Sequence, residues 1–265
     1  MSDGSSPVVD ITVPHSARVW NYWLGGKDYY PVDREFGDHL YELLPEIVQI
    51  ARQARAFLGR AVTYLAGEAG IRQFLDIGTG LPTADNTHEM AQRIAPDARI
   101  VYLDHDPLVL LHARALLVGT PEGATSYIDA DVREPKKILK AAVETLDFTQ
   151  PIGLIMMGIM GNVADLDEAY AIVRELTDAL PSGSNLVFKD GTYAAMGKDR
   201  ADAIHHLHAD EQFPYHLRTP EQLARFLDGF ELLEPGLVST PLWRPAPSAE
   251  PLLPIDDLCG VGRKP

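Results

Sequence analysis

The sequence is short of the residues that several kinds of protein require. Cys259 is the only cysteine in 265 residues, which leaves no intramolecular disulfide and no thiolate zinc site. No apolar run approaches the roughly 20 residues that cross a bilayer. The opening MSDGSSPVVDITVP lacks the basic region and apolar stretch of a secretory signal, so a cytoplasmic location is expected and a membrane partner is not. Positive charge is scarce as well. Lys and Arg number 23 against 38 Asp and Glu, a formal net charge of −15. Such a field repels a phosphate backbone. The densest basic stretches, Lys136–Lys137–Lys140 and the tail Arg263–Lys264, read as solvated faces. Nucleic acid is therefore disfavoured as a partner, and a small molecule is favoured.

Internal repeats and low-complexity tracts are also absent. What is present is an ordinary globular mixture, 46% hydrophobic and 23% charged. Residues 1–15 are rich in Ser and Pro. Ser16 reads as the N-cap of a short helix carrying Val19, Trp20, Trp23 and Leu24, stopped by Gly25–Gly26 and followed by a loop from Lys27 to Pro31. A longer helix is predicted from about Pro45 to Ala66, because Ile47, Ile50, Ala54, Phe57, Leu58, Ala61 and Leu65 recur at helical spacing.

From residue 71 strands alternate with helices. Short β-rich runs at Phe74–Ile77, Ile100–Leu103, Thr125–Ile128, Ile152–Met157 and Leu186–Phe188 are separated by helical segments. These helices lie around Asn86–Ile94, Pro107–Leu117, Pro135–Leu146 and Leu166–Leu180. Helical segments continue to about Asp228, and strands at Phe230–Leu233 and Leu258–Val261 close the chain. The alternation predicts an α/β fold, a mostly parallel twisted sheet with helices on both faces. A helical extension or lid over residues 1–45 precedes the main domain over 46–265. Ligands of such sheets bind beyond the carboxyl ends of the strands.

The first strand runs into Asp76-Ile77-Gly78-Thr79-Gly80-Leu81-Pro82-Thr83. Gly78 and Gly80 permit close backbone approach to a ligand. Thr83 stands where a dinucleotide fingerprint has its third glycine, so a pyrophosphate is disfavoured. Asp76 repels a pyrophosphate and favours a sulfonium or an ammonium; its plainer reading is a strand-end acid capping its own turn. The second strand ends in Asp104-His105-Asp106-Pro107. Asp104 is placed to accept both ribose hydroxyls of a nucleoside. Asp106–Pro107 reads as the N-cap and first residue of the next helix. After the third strand, Asp131 can accept from an adenine amine, with the Val132 amide facing a ring nitrogen; a solvated turn carboxylate is the alternative.

Three successive strands that each end in an acid, with the glycines in the first loop, resemble the class I, Rossmann-like methyltransferases. Residues 71–190 carry this likeness. Ala17-Arg18-Val19-Trp20-Asn21-Tyr22-Trp23-Leu24-Gly25-Gly26-Lys27-Asp28 resembles, further, the opening signature of a bacterial S-adenosyl methyltransferase family, once listed as a domain of unknown function. Asp76–Thr83, Asn86, His88–Glu89, Glu234–Val238 and Trp243–Pro245 fit the same family. The resemblance implies S-adenosylmethionine as cofactor, S-adenosylhomocysteine as product, and methyl transfer to an acceptor it does not identify. It implies a cofactor site of Asp76, Gly78, Thr79, Gly80, Asp104, His105, Asp131, Val132 and Met157. A binding module that senses the cofactor without catalysis is the alternative.

The segment Met156–Asn162, after the fourth strand, lacks the (Asp/Asn)-Pro-Pro-(aromatic) motif that holds a base amine in many nucleic-acid methyltransferases. Its methionines suit either an adaptable apolar pocket or plain buried strand. Tyr22, Gly25, Gly26, Lys27 and Asp28 are expected to contribute a lid or substrate contacts. His205 and His208 share a helical face, yet no carboxylate pattern accompanies them and no metal is expected. His88, Tyr215 and Arg218 are weaker candidates, and no general base stands out.

Overall fold

In a strand buried on both faces, neighbouring side chains serve two different cores. The computed structural model describes residues 10–82, 85–116, 118–197, 199, 201–202, 215–247 and 251–265. Among them, strands β1 (Gln73–Ile77), β2 (Arg99–Asp104), β3 (Ala124–Asp129), β4 (Gly153–Met157), β5 (Asn185–Gly191), β6 (Glu231–Leu232), β7 (Val238–Ser239) and β8 (Asp257–Arg263) form one sheet. Its order is β3-β2-β1-β4-β5-β8-β6, with β7 also on β8. Strands β1 to β5 pair in parallel, and β8 runs antiparallel to β5, β6 and β7.

The helices are α1 (Ser16–Trp23), α2 (Pro31–Leu43), α3 (Ile47–Gly67), α4 (Thr87–Ile94), α5 (Pro107–Leu116), α6 (Pro135–Ala142), α7 (Leu166–Asp178) and α8 (Pro220–Ala224). Leu75 and Ile77 join Val101, Leu154 and Leu186 in the core under α6 and α7. Phe74 joins Ile100, Ile155 and Val187 in the core under α3, with Phe57, Ala61 and Leu65. Strand alternation then sends Asp76 to the α3 side of the sheet. Trp243, fully buried, closes this second core edge-on to Phe57, and Arg60 of α3 donates to its carbonyl.

The Rossmann-like sheet with an N-terminal helical extension is present as expected. Four local features differ from the sequence reading. Ser16 is the first helical residue and His15 occupies the cap position, without a side-chain cap bond. Helix α2 falls where no element was predicted. Pro31 opens it and Asp33 accepts from the Tyr30 amide, but Gly37 weakens its pattern. Strand β7 is only two residues long and exists through its pairing with β8. Between Asp190 and Asp228, the described helical residues are 199 and 201–202, α8 and a 3-10 turn at Arg225–Leu227; residues 203–214 lie outside the described set.

Candidate functional site

The sheet order reverses between β1 and β4, and a cavity of about 350 Å³ opens there, beyond their carboxyl ends. That volume suits a small ligand. Its floor is the turn after β1, where Gly78 and Gly80 both take left-handed φ angles, 71° and 65°. Two bonds fix the turn: the Gly78 amide donates to Leu103 O at 2.7 Å, and the Gly80 amide donates to Asp104 Oδ2 at 3.0 Å. A side chain on Gly80 would meet open space, so the backbone there stays open to a ligand. Thr83 lies outside the described residues.

The three strand-end acids differ in state. Asp76 is buried on the side of α3 and α4, where Thr87 Oγ1 donates to its Oδ2 at 2.6 Å. Burial pushes its carboxyl up to about 6, opposed by that hydrogen bond and by the Arg55 guanidinium. It thus ties the first residue of helix α4, which Asn86 and Glu89 cap, to the strand end as well as facing the cavity. Burial also raises the Asp104 carboxyl, and the amides of Asp106 and Gly80 pull it back. Those two bonds leave lone pairs on both oxygens for a ligand. Asp131 is the most exposed: it accepts from the Arg133 amide at 2.9 Å and pairs with the Arg133 guanidinium, which also holds Asn162 O. Thr79, His105, Val132 and Met157 line the cavity too. Asp106 behaves as the expected cap, accepting from the Leu108 amide at 2.8 Å.

The N-terminal segment covers the cavity with residues other than those expected. Tyr22, Gly25, Gly26, Lys27 and Asp28 are not among its lining. The wall comes from Ser16, Ala17, Trp20, Asn21 and Leu24, one face of α1 at helical spacing. Tyr22 points the other way and donates to Asp38 on α2, while Gly25, Lys27 and Asp28 lie exposed past the end of α1. Gly26 is needed for a local reason: a Cβ there would overlap the Asn21 side chain, whose Oδ1 accepts from the Asp28 amide. His15 anchors this cover, its Nδ1 lying 3.0 Å from Asp106 Oδ2 at the turn after β2.

Two further residues of the site were invisible in sequence. Arg55 lines the cavity from the middle of α3, with burial lowering its pKa against the pull of Asp76. Lys189 sits inside β5, its side chain 3% exposed, with Nζ 2.8 Å from Asp257 Oδ1 on β8 and 5.2 Å from the centre of the Trp20 ring. A lysine within an apolar strand is the one signal that could have exposed it. Tyr215 donates to Asp190, and burial raises the tyrosine far above its usual value, with the aspartate adding to the shift. Arg218 instead holds Val163 O. His88 is structural: its amide and Nδ1 both meet the Tyr102 hydroxyl. His205, His206 and His208 lie outside the described residues.

A match to the S-adenosyl methyltransferase family spans residues 2–265. The chain belongs to this family. A DUF574 family protein from Streptomyces avermitilis is 43% identical over 97% of this chain and 99% of its own, with a TM-score of 0.91. A candidate methyltransferase from Thermobifida fusca is 39% identical over 96% of both chains, at 0.88. A SAM-dependent methyltransferase from Methanosarcina mazei, 14% identical over 73% of this chain and 92% of its own at 0.50, shares the fold alone. Among curated proteins none matches.

Proposed function

We propose that the chain binds S-adenosylmethionine in the β1/β4 cavity and transfers its methyl group to a small acceptor. The carrying observation is the convergence of Asp76, Asp104 and Asp131, from three parallel strands, on the wall around the Gly78–Gly80 turn. The donor set suits this cofactor. Asp104 offers lone pairs to the ribose hydroxyls, Asp131 with the Val132 amide faces the adenine, and Asp76 offers a buried carboxylate to the cationic end. When bound, the cofactor supplies a methyl carbon activated by a sulfonium. The chain's own contribution is orientation: the glycine turn fixes the floor, Trp20 and Asn21 cover it, and Met157 with Ile159 keep water from the end of β4. A cavity of about 350 Å³ on a chain of net charge −15 supports a small acceptor over a nucleic acid.

Calorimetry with S-adenosylmethionine and S-adenosylhomocysteine, and NAD as control, tests the reading. Saturable binding of both adenosyl ligands without NAD binding is expected; no binding to folded protein would end the proposal. Asp104→Ala is expected to weaken the cofactor by about 1.5–3 kcal/mol, the scale of hydrogen bonds to a charged group. Wild-type affinity in that variant would remove the ribose assignment.

Asp76 predicts a pH dependence. A cationic ligand prefers its ionised form, and the buried carboxyl titrates at about 6. Affinity should therefore rise about tenfold from roughly pH 5 to pH 7. The unliganded fold follows the opposite sign. A carboxyl that holds its proton more tightly when folded stabilises the fold at low pH, and that contribution is lost as pH rises through 6. Calorimetry across this range, repeated with Asp76→Asn, separates the effect: the asparagine profile should be flat, and an equally steep one would assign the titration elsewhere.

A further inference from the structure

Two loops that line the main cavity are held to very different degrees. Strand β3 is the edge of the sheet, and among the described strands it pairs with β2 alone. The loop after it therefore has a neighbouring strand on one side. Asp131 stands on this loop with its side chain 39% exposed. A carboxylate that can turn in such a place must be ordered when a ligand binds, at an entropic cost.

The 3-10 turn at Met160–Asn162, after β4, is fixed by several bonds. The Gly161 amide donates to Asp190 Oδ2 at 3.0 Å, and the His216 amide donates to Gly161 O at 2.7 Å. Asn162 Nδ2 donates to the carbonyls of Gly158 and Ile159, and Met160 and Gly161 are buried. Strands β2 and β1 lie between β3 and β4, a span of roughly 14 Å at the level of the sheet.

Arg133 joins the loop to the turn. Its Nη2 donates to Asn162 O at 2.7 Å, and its Nη1 lies 3.3 and 3.2 Å from Asp131 Oδ1 and Oδ2. The planar guanidinium holds two partners in a fixed relation, as a flexible ammonium does not. Asp131 Oδ1 also accepts from the Arg133 amide at 2.9 Å. Oδ2 accepts from Nη1 alone among the described residues, so it keeps a lone pair for a ligand. Asp131, Val132, Arg133, Ile159 and Asn162 all line the main cavity, and the strut runs along its wall. An ion pair this exposed adds little to stability. What it decides is where Asp131 points.

We propose that Arg133 is the positioning residue of the adenine subsite, and that its strut gives the site selectivity for a 6-amino over a 6-oxo purine. The assignment rests on S-adenosylmethionine occupying the cavity with its adenine at Asp131. A 6-amino purine offers an N–H to the carboxylate and an accepting ring nitrogen to the Val132 amide. A 6-oxo purine reverses both, setting a carbonyl oxygen against Asp131 and a ring N–H against that amide. The penalty for the reversal is full only while the carboxylate is held in place.

Calorimetry with S-adenosylhomocysteine and S-inosylhomocysteine tests the strut without turnover. The wild type is expected to prefer the adenine ligand by about 30-fold, within the range for paired hydrogen bonds to a base edge. In Arg133→Met this ratio should fall at least about fivefold, some 1 kcal/mol, with inosyl affinity nearly unchanged. Arg133→Lys keeps the charge without the fork and should lose selectivity as well. A smaller fall in the methionine variant, or a rise, overturns the proposal, as does wild-type selectivity in the lysine variant. So does a loss of both affinities in step, which is what a merely structural role would give. Equal binding of the two ligands by the wild type removes Asp131 from the adenine and leaves the cofactor reading standing. Absence of S-adenosylhomocysteine binding would instead end that reading, and the strut's role with it.

Discussion

Asp33→Ala is expected to cost about 3–5 kcal/mol of stability, the range for removing one partner of a buried ion pair. Asp33 is fully buried on α2 and Arg18 is 2% exposed on α1. The carboxylate holds the Arg18 guanidinium at 2.9–3.0 Å, and it accepts from the amides of His15 and Tyr30 as well. Alanine leaves a buried cation and two amides without this acceptor. The Arg18 contacts to Asp10 O and Val13 O offset only part of that loss. Because α1 forms one wall of the cavity and α2 meets α1 through this pair, cofactor affinity should fall along with stability. Denaturant unfolding of the wild type, Asp33→Asn and Asp33→Ala measures the effect. Asparagine, which keeps an acceptor oxygen, should lose less. A loss below about 1 kcal/mol in the alanine variant would mean the pair is relaxed by water, as exposed pairs are.

Gly78→Val is expected to remove S-adenosylmethionine binding, a loss of more than about 100-fold, or some 2.7 kcal/mol. Two causes act together. The residue's φ of 71° is open to glycine and strained for a β-branched side chain, by roughly 1–3 kcal/mol. The added Cβ would also lie 2.0 Å from Ile159 Cδ1 and 2.7 Å from its Cγ1. Ile159 itself lines the cavity, so either the glycine turn or that side chain must move into ligand space. The Cβ alone creates the overlap, so Gly78→Ala should already lose most of the affinity. Calorimetry of both variants, with circular dichroism to confirm the sheet, checks this. Unchanged affinity in the alanine variant would place the ligand elsewhere.

The sequence by itself determined the elements whose signal is local. Strands β1, β2, β4 and β5 are largely apolar and buried, β3 is a β-rich run at the sheet edge, and α3 declares itself by a stripe repeating at helical period. The glycine turn and the three strand-end acids were equally legible, because a strand end and the loop after it are contiguous in the chain. Helix α2 was missed, since Gly37 interrupts its pattern and its stability comes from packing Leu40 on α1 and α3 and from Asp33 reaching Arg18. Only the tertiary structure decided which face of α1 covers the cavity. Tyr22 and Trp20 are two residues apart and so point in different directions on a helix. The ionic cluster of Lys189 and Asp257 was beyond sequence for the same physical reason. Its members lie 68 positions apart and meet only because β8 folds back antiparallel onto β5, setting Lys189 opposite Cys259.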